Sequence, residues 1–405
     1  MASFVTGFDI GSSSVKGVVC TRKKDGTLAV LSAFSQPSAG IRKGVMVDVE
    51  EATCVLRDTV LDVEKVSRRA MHNTFVNVSS EHSRARISRG IAAVARADQV
   101  IQQDDVDRVL QASKAVKLAP NYLVLHNITR EFFVDDVGDI SDPVGMLGSR
   151  LEVSTLIVEA FAPQVNLLVK NLERVGIRVG GLIFNPLAAA RAVLTKRQKD
   201  LGVLMIDIGF GTTTMAIFEE NKVLHTKCLP IGSGHITSDI AIGLKISFDA
   251  AEKLKVRFGC ALAKEISRKE TVKLAEVETG NTGEVPRRFI AEIIEARLQE
   301  VLELIQSELK SVGRAVQLPA GIVVTGAGAK LPGIAELVKQ ELKLTAQIGF
   351  PILSGFEIQN PAHQELMDDP AFSTAVGLAL WGNAEGGRPH EGIGMVMQLL
   401  KNLMP

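Results

Sequence analysis

Two short segments of this 405-residue chain follow one grammar: FDIGSSSVKGVV at 8–19 and IDIGFGTTTMAI at 206–217. Each runs Asp-Ile-Gly, then a short turn with a Ser/Thr run, then apolar alternation. Asp207 follows Asp9 by 198 residues (207 − 9), far beyond any solenoid period. The pair fits two halves of one molecule, each contributing one loop. A chain of this length divides into two or three domains at about 150 residues each.

The segment after each loop sets the loop's type. A P-loop or a dinucleotide fingerprint runs strand, Gly-rich turn, helix. Here the loops lead into VKGVVC and MAIF, which favour strand, so each loop is expected at the tip of a β-hairpin. Gly11, and Gly209 with Gly211, let backbone approach a ligand closely. Ser12, Ser13 and Ser14, and Thr212, Thr213 and Thr214, add hydroxyl and amide donors, a nest suited to phosphate oxygens. Lys16 is placed to reach a phosphate as a point charge. Asp9 and Asp207 would repel phosphate directly. They make sense around Mg²⁺, which keeps several waters and takes one or two carboxylates. One such loop alone could equally be an ordinary Gly/Ser hairpin; two of the same grammar argue for a shared ligand.

Between and after the loops, strand and helix patterns alternate. Residues 75–80, 122–134, 151–162 and 181–184 read as strands, and 102–116, 163–176 and the segment PLAAARAVL as helices. The longest helical pattern spans 289–313, with Ile290, Ile293, Ile294, Leu298, Val301, Leu302 and Ile305 on one face. GIVVTGAGAKLPGI (321–334) carries a β-branched strand into Gly326 and Gly328 and on toward a helix. LPIGSGHITSDIA (229–241) sets Gly232 and Gly234 ahead of Thr237 and Asp239. Glu252 and Lys255 stand i,i+3 on a helix; on their own they read as a surface ion pair.

Composition removes several function classes. Lys plus Arg and Asp plus Glu are both 46, so the chain carries neither a strongly basic nucleic-acid surface nor an acidic tail. With 16 Phe, one Trp and one Tyr, a base-stacking platform is not expected. Cys20, Cys54, Cys228 and Cys260 form no Cys-x-x-Cys pair and are expected as reduced, buried hydrophobes. The start MASFVTGFDIG lacks the basic and apolar regions of a signal peptide, and no apolar run is long enough to span a membrane.

In their order, these pieces resemble the actin-type ATPase superfamily, and within it the FtsA family of bacterial cell-division proteins. The resemblance covers nearly the whole chain. It rests on GFDIGSSSVKGVV, SRARISRGI, SDPVGMLGSRLEV, LGVLMIDIGFGTTTMAIF, HTKCLPIGSGHITSDIA, AEKLKVRFGCAL, GIVVTGAGAKLPGI and STAVGLALWG. It implies an α/β, actin-like two-lobe fold with a nucleotide cleft and a small inserted α/β subdomain of the SHS2 type. The first lobe core would be 1–81 with 163–195 and 346–382, and the insert 82–162. The second lobe core would be 196–240 and 311–345, with 241–310 as its outer part. A linker would cover 383–390 and a membrane-targeting tail 391–405.

The resemblance also implies ligands and partners. ATP with Mg²⁺ would lie in the cleft, its phosphates held by Gly11 to Ser14, Lys16 and Gly209 to Thr214, and by Gly232 and Gly234. Asp9 and Asp207 would organise the metal through waters. Glu252 and Lys255 would border the nucleoside, with Gly326 and Gly328 behind it. The family self-associates into filaments, binds the C-terminal tail of FtsZ and attaches it to membrane lipids at the cytoplasmic face of the inner membrane. It recruits other divisome proteins at the division site. Arg297 matches a basic position of the FtsZ-binding surface. No nucleic acid is expected as a partner.

Two departures stand out. Ala327 replaces the middle glycine of many adenosine loops. Asn185 stands where actin-type ATPases often place a water-orienting Gln or Glu; it cannot act as a general base, so slow ATP turnover or none is expected. An FtsA-like pilus-assembly ATP-binding scaffold is the nearest alternative, though it should lack a detached tail. A phosphotransferase of the same superfamily would need a further catalytic Asp. The tail itself is amphipathic: Ile393, Val396, Met397, Leu400, Leu403 and Met404 share one arc of the helical wheel. Lys401 is its only cation, so membrane binding would rest on aliphatic burial.

Overall fold

A computed structural model describes residues 3–115, 118–314 and 317–385. The first half opens with β1 (Ser3–Ile10), β2 (Ser14–Arg22) and β3 (Leu28–Pro37) as an antiparallel meander. A small hairpin comes next, β4 (Ile41–Arg42) and β5 (Val45–Met46), then α1 (Val49–Val66) and β6 (Thr74–Val78). Asp48 starts α1 by accepting hydrogen bonds from the Glu50 and Glu51 amides, both at 3.0 Å.

The chain then leaves for a separate four-stranded sheet. It holds β7 (Arg84–Ala93), β8 (Tyr122–Val134), β9 (Val137–Ile140) and β10 (Arg150–Phe161) in the order β7-β10-β8-β9. One helix, α2 (Gln103–Lys114), packs on it, and Val106, Val109, Phe132, Leu151 and Val153 fill a core of their own. An insert is expected at 82–162, and this sheet and helix occupy residues 84–161. The chain returns through α3 (Ala162–Arg174), with Pro163 in its first turn, and β11 (Val179–Phe184).

Helices α4 (Asn185–Val193) and α5 (Lys196–Leu201) lead into the second half. There β12 (Val203–Ile208), β13 (Thr213–Glu219) and β14 (Lys222–Leu229) repeat the meander. Helices α6 (Ser233–Leu244) and α7 (Phe248–Phe258) and the short strands β15 (Thr271–Lys273) and β16 (Glu284–Pro286) build its outer part. The long helix α8 (Arg287–Ser311) buries Ile290, Ile294, Leu298, Val301, Leu302 and Ile305, the expected stripe, with Ile293 partly covered. Strand β17 (Ile322–Thr325), α9 (Ile334–Leu342) and β18 (Ala346–Ile348) complete this half. The chain crosses back through β19 (Phe356–Ile358), α10 (Pro361–Met367) and α11 (Ser373–Glu385).

The two halves are topological copies. The first sheet contains the order β11-β6-β1-β2-β3 and the second is β18-β17-β12-β13-β14. In each, the loop-bearing hairpin lies beside a parallel strand, β6 against β1 and β17 against β12. All six residues of β12 are buried, and each large apolar side chain there contributes about 1.5–3 kcal/mol. Between the sheets, α4 and α11 share one apolar cluster with residues of both, among them Val5, Val18, Met205 and Val323. Their backbones nearly touch: a Cβ on Gly377 would lie 1.9 Å from the Ala188 carbonyl oxygen.

Two expected boundaries move. Residues 346–348 extend the second sheet by pairing with β17, so the return to the first lobe comes after them. Helix α11 continues through Glu385, so residues 383–385 are helix and not linker. The amphipathic segment at 391–404 lies outside the described residues. Among the described residues, no helix is long and apolar enough to cross a membrane.

Candidate functional site

Both Asp-Ile-Gly loops are hairpin tips, and they match atom for atom in their closing bonds. The Gly11 amide donates to the Ser14 carbonyl at 3.2 Å, and the Gly209 amide to the Thr212 carbonyl at 2.9 Å. Asp9 pairs in register with Lys16, and Asp207 with Thr214. The two aspartates therefore hold the same register position in their hairpins. The two tips face each other: a Cβ on Gly211 would lie 2.6 Å from Ser12 Oγ, and Ser79 Oγ is 3.4 Å from Thr212 Oγ1. Gly11, Ser12, Ser13, Gly209, Gly211 and Thr212 therefore meet at one junction. Thr213 and Thr214 are buried beneath it, and the Thr214 hydroxyl accepts from Asn185 at 3.4 Å.

The aspartates are joined by a chain of side-chain amides. Asn77, at the end of β6, donates to Asp9 Oδ1 at 2.8 Å and to Asn185 Oδ1 at 3.1 Å. Asn185 in turn donates to Asp207 Oδ2 at 2.8 Å, and the Thr374 hydroxyl reaches the same oxygen at 3.4 Å. Asn77 is held in place because its own Oδ1 accepts the Ile10 amide at 2.7 Å. Lys16 Nζ lies 3.4 Å from Asp9 Oδ2. Burial is the main force on both carboxyls. It raises Asp9, with Lys16 pulling the other way. Burial and then the Asp9 charge push Asp207 up to about 6. Two buried carboxyls that feel each other's charge are a donor set that a hydrated divalent cation would relieve, so Asp9 and Asp207 fit Mg²⁺. Among the described residues, no cluster of three or more His, Cys, Asp and Glu side chains offers an alternative metal centre.

Sequence reasoning missed Asn77 and Thr374. An Asn inside the buried strand TFVNV was the available signal, since a buried amide needs partners. Asn185, read from the sequence as no general base, sits in the amide chain between the two carboxyls. It donates to Asp207 and accepts from Asn77, which itself holds Asp9, and as an amide it does not take a proton from water.

On the second lobe, the glycines of the α6 start support the loop from behind. The Ser233 amide donates to the Gly209 carbonyl at 2.9 Å and the Gly234 amide to the Phe210 carbonyl at 2.8 Å. A Cβ on Gly232 would sit 2.7 Å from both carbonyl oxygens. Glu252 and Lys255 are not a surface pair. Lys255 is 5% exposed and donates to Glu252 Oε2 at 2.7 Å, Thr237 Oγ1 at 2.8 Å and the Ser233 carbonyl at 3.1 Å. Burial lowers its pKa against the pull of Glu252. Its ammonium also lies 5.3 Å from the centre of the Phe210 ring, so α7 is tied to the second loop. Gly326 has φ +84°, and a Cβ there would come 2.1 Å from Asp207 Oδ1. Gly328 packs on Ile208, while Ala327 between them is exposed, so its methyl has room.

Away from the cleft, Arg297 proves to be paired and the expectation for one cysteine changes. Arg297 makes a bidentate pair with Asp239, at 2.6 and 2.9 Å, and contacts Glu300, joining α6 to α8. Cys54 is exposed, because it lies off the buried stripe of α1 formed by Ala52, Leu56, Val60 and Val63; Cys20, Cys228 and Cys260 are buried.

Comparison with known proteins agrees with this architecture. A family model described as Cell division protein FtsA matches residues 204–377, and one for the SHS2 domain inserted in FtsA matches 80–159. The cell division protein FtsA of Pseudomonas aeruginosa is 34% identical over 93% of this chain and 89% of its own length. That of Bacillus subtilis is 33% identical over 91% of this chain and 81% of its own. Among solved structures, a PilM-PilN type IV pilus biogenesis complex aligns with TM-score 0.66 at 18% identity, covering 94% of this chain and 98% of that one. MreB5 of Spiroplasma citri bound to ADP aligns with TM-score 0.54 at 13% identity, covering 93% and 95%. At such identities the structural likeness shows the fold alone: two actin-like lobes.

Proposed function

Since the chain belongs to the FtsA family of cell-division proteins, we propose that it binds Mg·ATP between its lobes, self-associates, and anchors the FtsZ ring to the cytoplasmic face of the inner membrane. The observation that carries the nucleotide part is the facing pair of hairpin tips, with Asp9 and Asp207 linked through Asn77 and Asn185. Mg²⁺ would neutralise phosphate charge between the two carboxylates. Ser12, Ser13 and the loop amides would hold the phosphates, with Lys16 balancing their charge. Glu252, oriented by Lys255 and Thr237, would border the nucleoside with Gly326 and Gly328. With Asn185 committed, ATP acts as a conformational ligand that favours self-association by differential affinity.

FtsZ tail binding would fall on the outer second lobe, 241–310. Arg297 stands where α6 and α8 meet, and exposed Ile242 and Phe289 on those helices add apolar contact. Membrane attachment is assigned to Ile393, Val396, Met397, Leu400, Leu403 and Met404, and rests on their sequence pattern. One short helix with a single cation binds weakly, so stable attachment would come from several linked copies. Recruitment of other divisome proteins would take place at the division site.

Co-sedimentation with FtsZ and liposomes tests the whole reading. ATP should increase the FtsZ brought down, and Leu400→Glu with Leu403→Glu should abolish liposome binding while leaving ATP binding intact. FtsZ that stays in the supernatant with the unaltered chain and ATP would overturn the adaptor role. Asp207→Ala and Gly211→Val should both weaken Mg·ATP in calorimetry, the second because its side chain strikes Ser12 and Lys43.

A further inference from the structure

The small hairpin β4–β5 has no part in the site as built from the two loops, yet it reaches across the phosphate junction. Its base is clamped, since the Gly40 carbonyl accepts both the Val47 amide at 2.8 Å and the Asp48 amide at 3.0 Å. Ile41 anchors it in the first-lobe core. Its two-residue turn is Lys43–Gly44, with φ of +49° and +73°. Two successive left-handed residues make the tight turn that suits a two-residue hairpin, and Gly is the usual second residue. Lys is an unusual first residue, because a side chain at positive φ is disfavoured.

That turn is wedged between the lobes. The Gly44 amide donates to Ser12 Oγ in the first loop at 3.3 Å. Gly44 also presses on the first lobe, where a Cβ would lie 1.7 Å from the Ser79 carbonyl oxygen. On the other side, a Cβ on Gly211 of the second loop would lie 2.9 Å from the Lys43 nitrogen and 3.1 Å from its Cα. The Lys43 side chain is exposed and makes no ion pair among the described residues. Its charge is felt at the start of α6. Burial, and after it the Lys43 and Arg297 charges, hold the His235 ring below its ordinary pKa, against the Gly232 hydrogen bond and Asp239.

We propose that β4–β5 is an interlobe strap whose Lys43 binds the terminal phosphate of a nucleoside triphosphate. The inference rests on the cleft being an ATP site and adds a residue to it. Placement carries it: an unpaired cation sits on a fixed turn that touches the first loop through Ser12 and the second through Gly211. A terminal phosphate lying between those loops is the anion such a cation would neutralise. Its loss on going to the diphosphate would remove the charge that ties the strap to both lobes. Lys43 would then report the third phosphate to the lobe interface.

Calorimetry on the full chain tests this with Mg·ATP and Mg·ADP. Lys43→Asn removes the charge and keeps a residue that tolerates positive φ. It should weaken ATP about tenfold, the size of one lost charge-assisted contact, and leave ADP within about twofold. Lys43→Arg should keep most of the preference for ATP, and Arg42→Asn on the same hairpin should change neither affinity. Thermal melts confirm that each variant folds. Equal weakening of both nucleotides by Lys43→Asn, or no weakening of either, overturns the strap while leaving the ATP site standing. If the unaltered chain binds neither nucleotide, the ATP reading itself fails and the strap fails with it.

Discussion

Asp207 is strained electrostatically before any ligand arrives. Its folded pKa of about 6 lies above the unfolded carboxyl value near 4, so the folded state is the better proton binder between them. Stability contributed by the protonated form is present at low pH and is lost as pH rises from about 4 through about 6. Without ligand, Asp207→Asn should therefore melt above the unaltered chain at pH 7.5, with the gap narrowing toward pH 5. The same variant should lose Mg·ATP affinity, since the metal needs the charge. Equal melting temperatures at both pH values would show that burial does not raise this carboxyl. Asn185 belongs to the same scale. Because an amide held between Asp207, Thr214 and Asn77 stands where a water-activating Gln or Glu would act and cannot serve as a general base, turnover should stay far below the enzyme median of about 10 per second. A steady-state phosphate-release assay reaching that median would contradict this.

At the scale of elements, Arg297 changes the meaning of an obvious experiment. Its bidentate bond to Asp239 holds α6 against α8, so charge reversal tests a joint as well as a docking surface. Arg297→Glu should cost on the order of 1 kcal/mol of stability, as partly exposed pairs do, and Asp239→Arg added to it should recover part of that. If an FtsZ tail peptide binds the single variant weakly and the double variant no better, the arginine acts on the peptide and not through the joint. The cap of α1 has the same local character. Asp48→Ala should cost about 1 kcal/mol by freeing the Glu50 and Glu51 amides, measured by urea unfolding.

The whole molecule turns on the crossing of α4 and α11, where both sheets share one core. Glycines mark its closest approaches, Gly377 on α11 and Gly7 on the adjoining β1. Gly7 leaves room for the Ala375 carbonyl, which a Cβ would approach to 2.2 Å, and Gly377 leaves room for that of Ala188. Gly377→Val should therefore lower stability by more than about 2 kcal/mol and pull the lobes out of register. The readout is a fall in the urea midpoint together with loss of nucleotide binding. An unchanged midpoint would mean that the helices can part without cost. Asp207 also accepts from Thr374 at the head of α11, so this crossing is tied by a hydrogen bond to the carboxyl at the base of the second loop.

Local pattern determined a great deal. The β-rich runs after each Asp-Ile-Gly specify hairpins, because strand propensity and a tight turn are decided within a dozen residues. The stripe of α8 and the Pro start of α3 were legible for the same reason. The repeat of the loops foretold two halves, and the sheets bear this out in their matching strand orders. Tertiary structure decided everything that depends on partners distant in sequence. The Asn77–Asn185 bridge joins residues 108 positions apart, and no local spacing encodes it. Lys255 looked like a surface charge because i,i+3 spacing to Glu252 is all that a helix shows; the packing of α6 and Phe210 makes it a buried cross-link. Cys54 is exposed because the face a helix buries is set by what it lies against. Lys43 gave no signal at all in sequence, since a charged turn residue becomes meaningful only when folding brings it between two loops that the chain separates by 198 residues (209 − 11).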